Sequence, residues 1–141
     1  IQSVNARGPF LVTRELSKAM VAEGRGGRII NIASGVLSGM IVKGAASYVA
    51  SKGALAAFSS VAALELAPHA ITVNTILPGA IPTPGTINAK GPPTQGPGMR
   101  RAAFGLCEPE DIGMAAVYLA STAGRMITNQ MLAVDGGFSL S

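Results

Sequence analysis

Apolar positions along the chain follow two different periods, and the changes of period mark the elements. Over residues 1 to about 22, Val4, Leu11, Leu16, Met20 and Val21 form a broken helical stripe, with Gly8-Pro9 predicted to kink or interrupt it. Gly24-Arg25-Gly26-Gly27 makes a turn. Arg28-Ile29-Ile30-Asn31-Ile32-Ala33 then reads as a short strand, β-branched and almost uninterrupted in its apolarity, as expected of a strand buried on both faces. After a glycine-punctuated loop, an Ala-rich helix is predicted from Tyr48 to about Ala67, stopped by Pro68 and His69. Ile71-Thr72-Val73-Asn74-Thr75-Ile76-Leu77 is the second strand, closed by Pro78-Gly79. Pro109-Glu110-Asp111 opens a further helix running to about Ser121, with the proline in the first turn and the acids at the positive end. Met131-Leu132-Ala133-Val134 is a last short strand, closed by Asp135-Gly136-Gly137.

Strand, helix, strand, helix, strand, with apolar strands, predicts an α/β fold built on a parallel sheet of about three strands with flanking helices. Such a sheet needs both faces covered and its edges protected. The Arg28–Ala33 strand would be a bare apolar edge if nothing preceded it, so the order predicts a missing N-terminal partner. Between about residues 80 and 107 no period survives and most of the prolines are found. A structureless loop of that length inside a compact domain is usually functional.

Composition narrows the class. The chain has 141 residues, 48% hydrophobic and only 13% charged, which is one globular domain's worth and too apolar for disorder. Nothing approaches a membrane span, since the longest apolar stretch, Gly53 to Leu66, is broken by Ser59-Ser60 and carries Glu65. The net charge of +4 is scattered, with only Arg100-Arg101 adjacent among the basic residues, which argues against a nucleic-acid surface. The single Cys107 excludes an internal disulfide and fits a reducing, cytoplasmic setting; its own role reads as packing.

Tyr48 and Lys52 stand four apart, so on a helix they share one face. A phenol, with a free pKa of about 10, is a poor acid or base at neutral pH. A neighbouring ammonium favours the phenolate and brings such a group closer to working range. Ser34 ends the first strand, and the carboxyl ends of parallel strands are where α/β sheets bind ligands. Its hydroxyl is either a catalytic neighbour of the phenol or a loop cap. A nucleophilic serine is discounted, because the Gly-x-Ser-x-Gly elbow is absent and the only histidine, His69, sits at a helix end.

Taken together, Asn5 with Gly8 and Phe10, Asn31-Ile32-Ala33-Ser34, Tyr48-Val49-Ala50-Ser51-Lys52, Asn74 leading to Pro78-Gly79, and Asp135-Gly136-Gly137 resemble the short-chain dehydrogenase/reductase family in order and spacing, over essentially the whole chain. The resemblance implies a Rossmann-type sheet of which residues 1–141 are the C-terminal, catalytic portion, the N-terminal dinucleotide-phosphate-binding half being absent. It implies an oxidoreductase that moves hydride between NAD or NADP and an alcohol or ketone. Tyr48 would be the general acid or base. Lys52 would tune it and hold the nicotinamide ribose, Ser34 would bond the substrate oxygen, and Asn5 would anchor a proton-relaying water. In Pro78-Gly79-Ala80-Ile81-Pro82-Thr83, Ile81 and Thr83 would grip the nicotinamide carboxamide. A homodimer or homotetramer is implied as well, with the first two helices at the subunit contact and Ala54, Ala56, Ala57, Ser60 and Ala63 allowing close packing.

The family's glycine-rich phosphate loop and Asn-Asn-Ala-Gly motif have no counterpart in the sequence, and Ala70 and Asn129 stand where the family often has glycine. The alternative is therefore a non-catalytic half-domain that serves only as an assembly or structural partner. Residues 84 to 107 are expected to cover the substrate, with Ile87, Met99, Ala102, Ala103 and Phe104 as apolar lining.

Overall fold

The computed structural model describes residues 1–40, 43–83 and 102–140. Three helices and three strands carry the architecture: α1 (Gly8–Glu23), β1 (Gly27–Ile32), α2 (Ala46–Leu66), β2 (Ile71–Pro78), α3 (Pro109–Ala120) and β3 (Met131–Val134). The strands form one parallel sheet in the order β1-β2-β3, with Ile30 paired to Asn74 and Thr75 to Met131. This is the parallel α/β arrangement that the alternation of periods predicts.

β2 is the centre of the core. Ile71, Val73, Ile76 and Leu77 are buried along it, and Leu77 joins Ala33 and Leu55 in a cluster flanked by Leu37 and Phe58. Burying a leucine side chain of this kind stabilises by about 1.5–3 kcal/mol. Neighbouring residues of a strand point to opposite faces, so Asn74 lies on the other side of β2 from Leu77. There its amide donates to Ile127 O at 2.8 Å and accepts from Gln130 N at 3.0 Å, stitching the approach to β3 onto β2. Both polar ends of this buried side chain are satisfied.

The expected interruption at Gly8-Pro9 takes a different form. The helix continues through it by widening: Ser3–Arg7 is a π-turn, closed by Gly8 N to Ser3 O, and Pro9 falls in the first turn of α1. Proline lacks the N–H that an α-helix would direct to the carbonyl four residues back, here that of Asn5, and the helix widens to a π-turn just before it.

α2 places Ser51, Leu55, Ser59 and Ala63 against the sheet at helical spacing. Ser59 is bonded there by Asn31 Nδ2 at 2.8 Å. By length and composition alone the stretch Ala46–His69 could cross a bilayer, contrary to the expectation that nothing approaches a span. Its buried stripe packs as a core helix. The opposite face exposes Ala50, Ala54, Ala57, Val61 and Leu64, again at helical spacing. Of the small residues expected at a subunit contact, Ala63 is instead buried within this chain.

Among the described residues, β1 pairs with β2 on one edge only. Along it runs an open groove of about 490 Å³, lined by Val4, Pro9, Val12, Leu16, Ile29 and Ile30 among others. Ile32 is half exposed. Arg28 and Thr72 face each other in register, and Arg28 Nε and Thr72 Oγ1 are buried without a hydrogen-bond partner among the described residues.

Among the described residues, two that are not glycine adopt left-handed backbone, Ala70 at φ 56° and Asn129 at φ 56°. They are the two positions where the sequence departs from the expected glycine. Asparagine tolerates this region, whereas alanine pays about 1–2 kcal/mol for it. Glycine relieves that strain but gives back about 0.4–1 kcal/mol through its freer unfolded state. Ala70→Gly is therefore expected to raise unfolding stability by about 0.5–1 kcal/mol, read as a higher urea midpoint at unchanged slope. An unchanged or lower midpoint contradicts the strain.

Candidate active site

Because β1 and β2 are parallel, their carboxyl ends open on the same rim, and the predicted site residues gather there. Ser34 leaves β1 in extended backbone and its Oγ accepts from Val36 N at 3.4 Å, capping the short helical turn Gly35–Leu37. That turn presses on the end of β2. A Cβ at Gly35 would stand 3.0 Å from Pro78 O.

α2 starts two residues before Tyr48, so Tyr48 lies in its first turn and Lys52 one turn later. Lys52 Nζ donates to Ile32 O at 2.9 Å, and the same nitrogen lies 5.9 Å from the centre of the Tyr48 ring. The carbonyl at the end of β1 thus fixes the ammonium beside the phenol. Partial burial holds the Lys52 ammonium below the usual lysine value.

Asn5 comes to the same helix from the π-turn. Its Nδ2 donates to Ser51 Oγ at 3.1 Å, and Ser51 Oγ donates to Tyr48 O at 2.6 Å. Residue 9 being proline, the Asn5 carbonyl has no α-helical donor four residues on. Beyond β2, Gly79 N donates to Val134 O at 2.9 Å, and Thr83 N donates to Ile81 O at 2.9 Å in a tight turn. Ile81 and Thr83 are both half-buried on this rim.

The arrangement brings Lys52 to Tyr48 and links Asn5 through Ser51 to the tyrosine backbone. It does not join Ser34 to Tyr48: among the described residues, no hydrogen bond connects their hydroxyls. Of the expected substrate lining, Ile87 and Met99 lie outside the described residues. Ala102 and Ala103 lie next to the turn at Gly136-Gly137, and Phe104 is 91% exposed.

Sequence reading gave Ser51 no role of its own. The signal was present: Ser51 falls on the buried stripe of α2, four before Leu55, where a polar residue needs a partner. Cys107, read as a packing residue, is buried with its thiol 3.5 Å from Val134 O, and burial raises its pKa.

A parallel α/β sheet with a tyrosine–lysine pair at the carboxyl ends of adjacent strands defines the class. A family profile described as enoyl-(acyl carrier protein) reductase matches residues 1–139. A short-chain dehydrogenase/reductase of Armillaria gallica is 40% identical over 97% of this chain and 55% of its own length. Galactitol 2-dehydrogenase (L-tagatose-forming) of Cereibacter sphaeroides is 37% identical over 99% of this chain and 56% of its own. Among solved structures, a 4-hydroxyisoleucine dehydrogenase complexed with NADH superposes with a TM-score of 0.82 at 32% identity, covering 100% of this chain and 59% of that one. The chain belongs to the short-chain dehydrogenase/reductase family. It spans about half the length of the curated relatives it matches.

Removing the Ser51 hydroxyl leaves the Asn5 amide without this acceptor in a partly buried position. Ser51→Ala is expected to cost about 1–3 kcal/mol of stability, measured by denaturant unfolding. A cost below 0.5 kcal/mol, on the order of an ordinary surface substitution, would mean the Asn5–Ser51 link holds nothing.

Proposed function

We propose that the chain is the catalytic portion of a nicotinamide-dependent oxidoreductase that interconverts an alcohol and a ketone. The observation that carries this reading is the Lys52 ammonium, held by Ile32 O at 2.9 Å on the rim beside the Tyr48 ring. Family membership supports the activity, and the NADH complex of a structural neighbour supports the cofactor class.

The residues present suit the nicotinamide end of such a cofactor. An ammonium carries three N–H donors, and Ile32 O uses one, which leaves two for ribose hydroxyls. Ile81 and Thr83 lie half-buried at the end of β2 on the same rim, next to Pro78 and Gly79. The cofactor supplies hydride chemistry that no side chain possesses.

The chain's own groups do the rest. Tyr48 donates its hydroxyl proton to the carbonyl oxygen during reduction and takes it back during oxidation. Lys52 orients the ribose and stabilises the deprotonated tyrosine. Ser34 donates a hydrogen bond to the substrate oxygen as negative charge develops there. Its present bond uses the hydroxyl oxygen as acceptor, and the Ser34 proton remains available to donate. Asn5 holds a water through its carbonyl, which Pro9 cannot engage, and that water returns a proton towards Lys52.

This activity belongs to the whole protein. A further segment that pairs with the free edge of β1 and fills the groove beside α1 would supply the adenosine and pyrophosphate contacts. The relatives' greater length and the unpartnered Arg28 and Thr72 atoms support that reading.

In the whole enzyme, Tyr48→Phe is expected to lower kcat about 100- to 10,000-fold on whichever alcohol or ketone of a small panel the parent turns over. Cofactor affinity should stay close to the parent's, because the ring is retained. Comparable kcat values for mutant and parent would remove Tyr48 from the chemistry.

A further inference from the structure

The turn that follows β3 has a feature that the proposed chemistry does not use. Asp135 is 8% exposed, and its carboxylate is spent on its own turn: Oδ1 accepts from Gly137 N at 2.9 Å and Oδ2 from Ser139 N at 2.9 Å. Its carbonyl accepts from Phe138 N at 3.1 Å. Burial pushes the carboxyl up, but the bonds from Ser139, Gly137 and Phe138 outweigh it and hold the group below the ordinary aspartate value. The side chain therefore builds a rigid knot at the end of the sheet.

That knot is the surface on which the end of β2 rests. Gly79 approaches so closely that an added Cβ would stand 2.6 Å from Asp135 Cα and 2.8 Å from its Cβ. Gly79 N is bonded to Val134 O, one residue before Asp135. On its other side the knot holds the chain returning towards α3. Gly136, at φ 60°, would bring a Cβ to 2.5 Å from Gly105 O, and Phe104 N donates to Gly136 O at 2.9 Å. Cys107 N then donates to Ala80 O at 3.3 Å, which closes a ring of contacts from Gly79 through Asp135 and Gly136 back to Ala80. Residues 79 and 80 are thus gripped from two sides immediately before Ile81 and Thr83.

We propose that Asp135 is a positioning residue for the nicotinamide end of the cofactor: by tying the turn after β3 to its own carboxylate, it fixes the wall that seats Gly79 and Ala80 and so sets where Ile81 and Thr83 present themselves. The inference rests on the reading of Ile81 and Thr83 as cofactor contacts. Both carboxylate oxygens of Asp135 are taken up by its own turn, so it would act through Gly79 and Ala80 and not by touching the ligand. Alanine at 135 keeps the Cα and Cβ that meet Gly79 but releases the two amides that hold the turn in shape.

The test compares two ligands on the whole enzyme. One is NADH or NADPH, whichever the parent prefers. The other is ADP-ribose or its 2′-phosphate, which shares everything except the nicotinamide. Asp135→Ala is expected to weaken the complete cofactor about tenfold, a change of about 1.4 kcal/mol, and to leave ADP-ribose affinity within twofold, on the order of the scatter for an unaffected site. Asp135→Asn keeps the volume and one acceptor; it should show a smaller selective loss of the same sign and serves if the alanine variant does not fold. Equal weakening of both ligands, or weakening of neither, overturns the positioning role. Thr83→Ala separates this from the underlying reading. If Thr83→Ala leaves cofactor affinity unchanged, the assignment of that contact fails first. If it weakens the cofactor while both Asp135 variants do not, the inference about Asp135 alone is wrong.

Discussion

The hydrogen bond from Lys52 Nζ to Ile32 O ties together the elements on which the site depends. Ile32 is the last residue of β1, and Lys52 is in the second turn of α2. A flexible four-carbon side chain would otherwise sample many positions in solvent. Held by that carbonyl, the ammonium stays beside the Tyr48 ring and at the carboxyl rim of the sheet. The bond works because β1 is registered against β2, and because Leu55 pins α2 to the cluster of Ala33 and Leu77 beneath it.

A second set of contacts fixes the same helix from the other side. Asn5 donates to Ser51, and Ser51 bonds back to Tyr48 O within α2, so the start of α2 is tied to the π-turn and, through Lys52, to the end of β1. Each bond contributes about 0.5–1.5 kcal/mol net, less than the leucine burial beneath. Their importance is geometric. They restrict the rotation of α2 about its axis, which decides where Tyr48 and Lys52 point. The rim is therefore assembled from β1, β2, α2 and the π-turn, with the turn after β3 bracing the end of β2.

Much of the fold was legible because its strands are short, apolar and separated by clear stop signals. β3 begins and ends where Met131–Val134 predicts, β1 is shifted one residue earlier at both ends, and β2 runs one residue further, to Pro78. The proline at position 9 misled because a break and a π-turn look alike in sequence: both lack one donor, and the contacts that hold the π-turn, from Gln2 to Ser47 and from Asn5 to Ser51, come from α2, 45 and 46 residues away. Tyr48 and Lys52 could be read from spacing because one helix sets their relation. The partners of Ser51 and Asp135 could not: the buried stripe of α2 shows that Ser51 needs a partner, but Asn5 lies 46 residues away, and Gly79 meets Asp135 only through the β2–β3 pairing. Contacts made by register have no local signature. The edge of β1 that is free among the described residues was legible for the opposite reason, because a strand with apolar residues on both faces reads from its own sequence.

The central claim is that one ammonium serves both cofactor binding and chemistry. Its most direct test is Lys52→Met in the whole enzyme, with cofactor affinity and the single-turnover rate of hydride transfer measured separately at saturating cofactor. Methionine keeps the apolar stem and removes the charge. The account predicts cofactor binding weaker by about tenfold, the loss of a charge-assisted hydrogen bond, together with a transfer rate lower by about 100-fold or more. A variant that binds cofactor and transfers hydride as the parent does would contradict it.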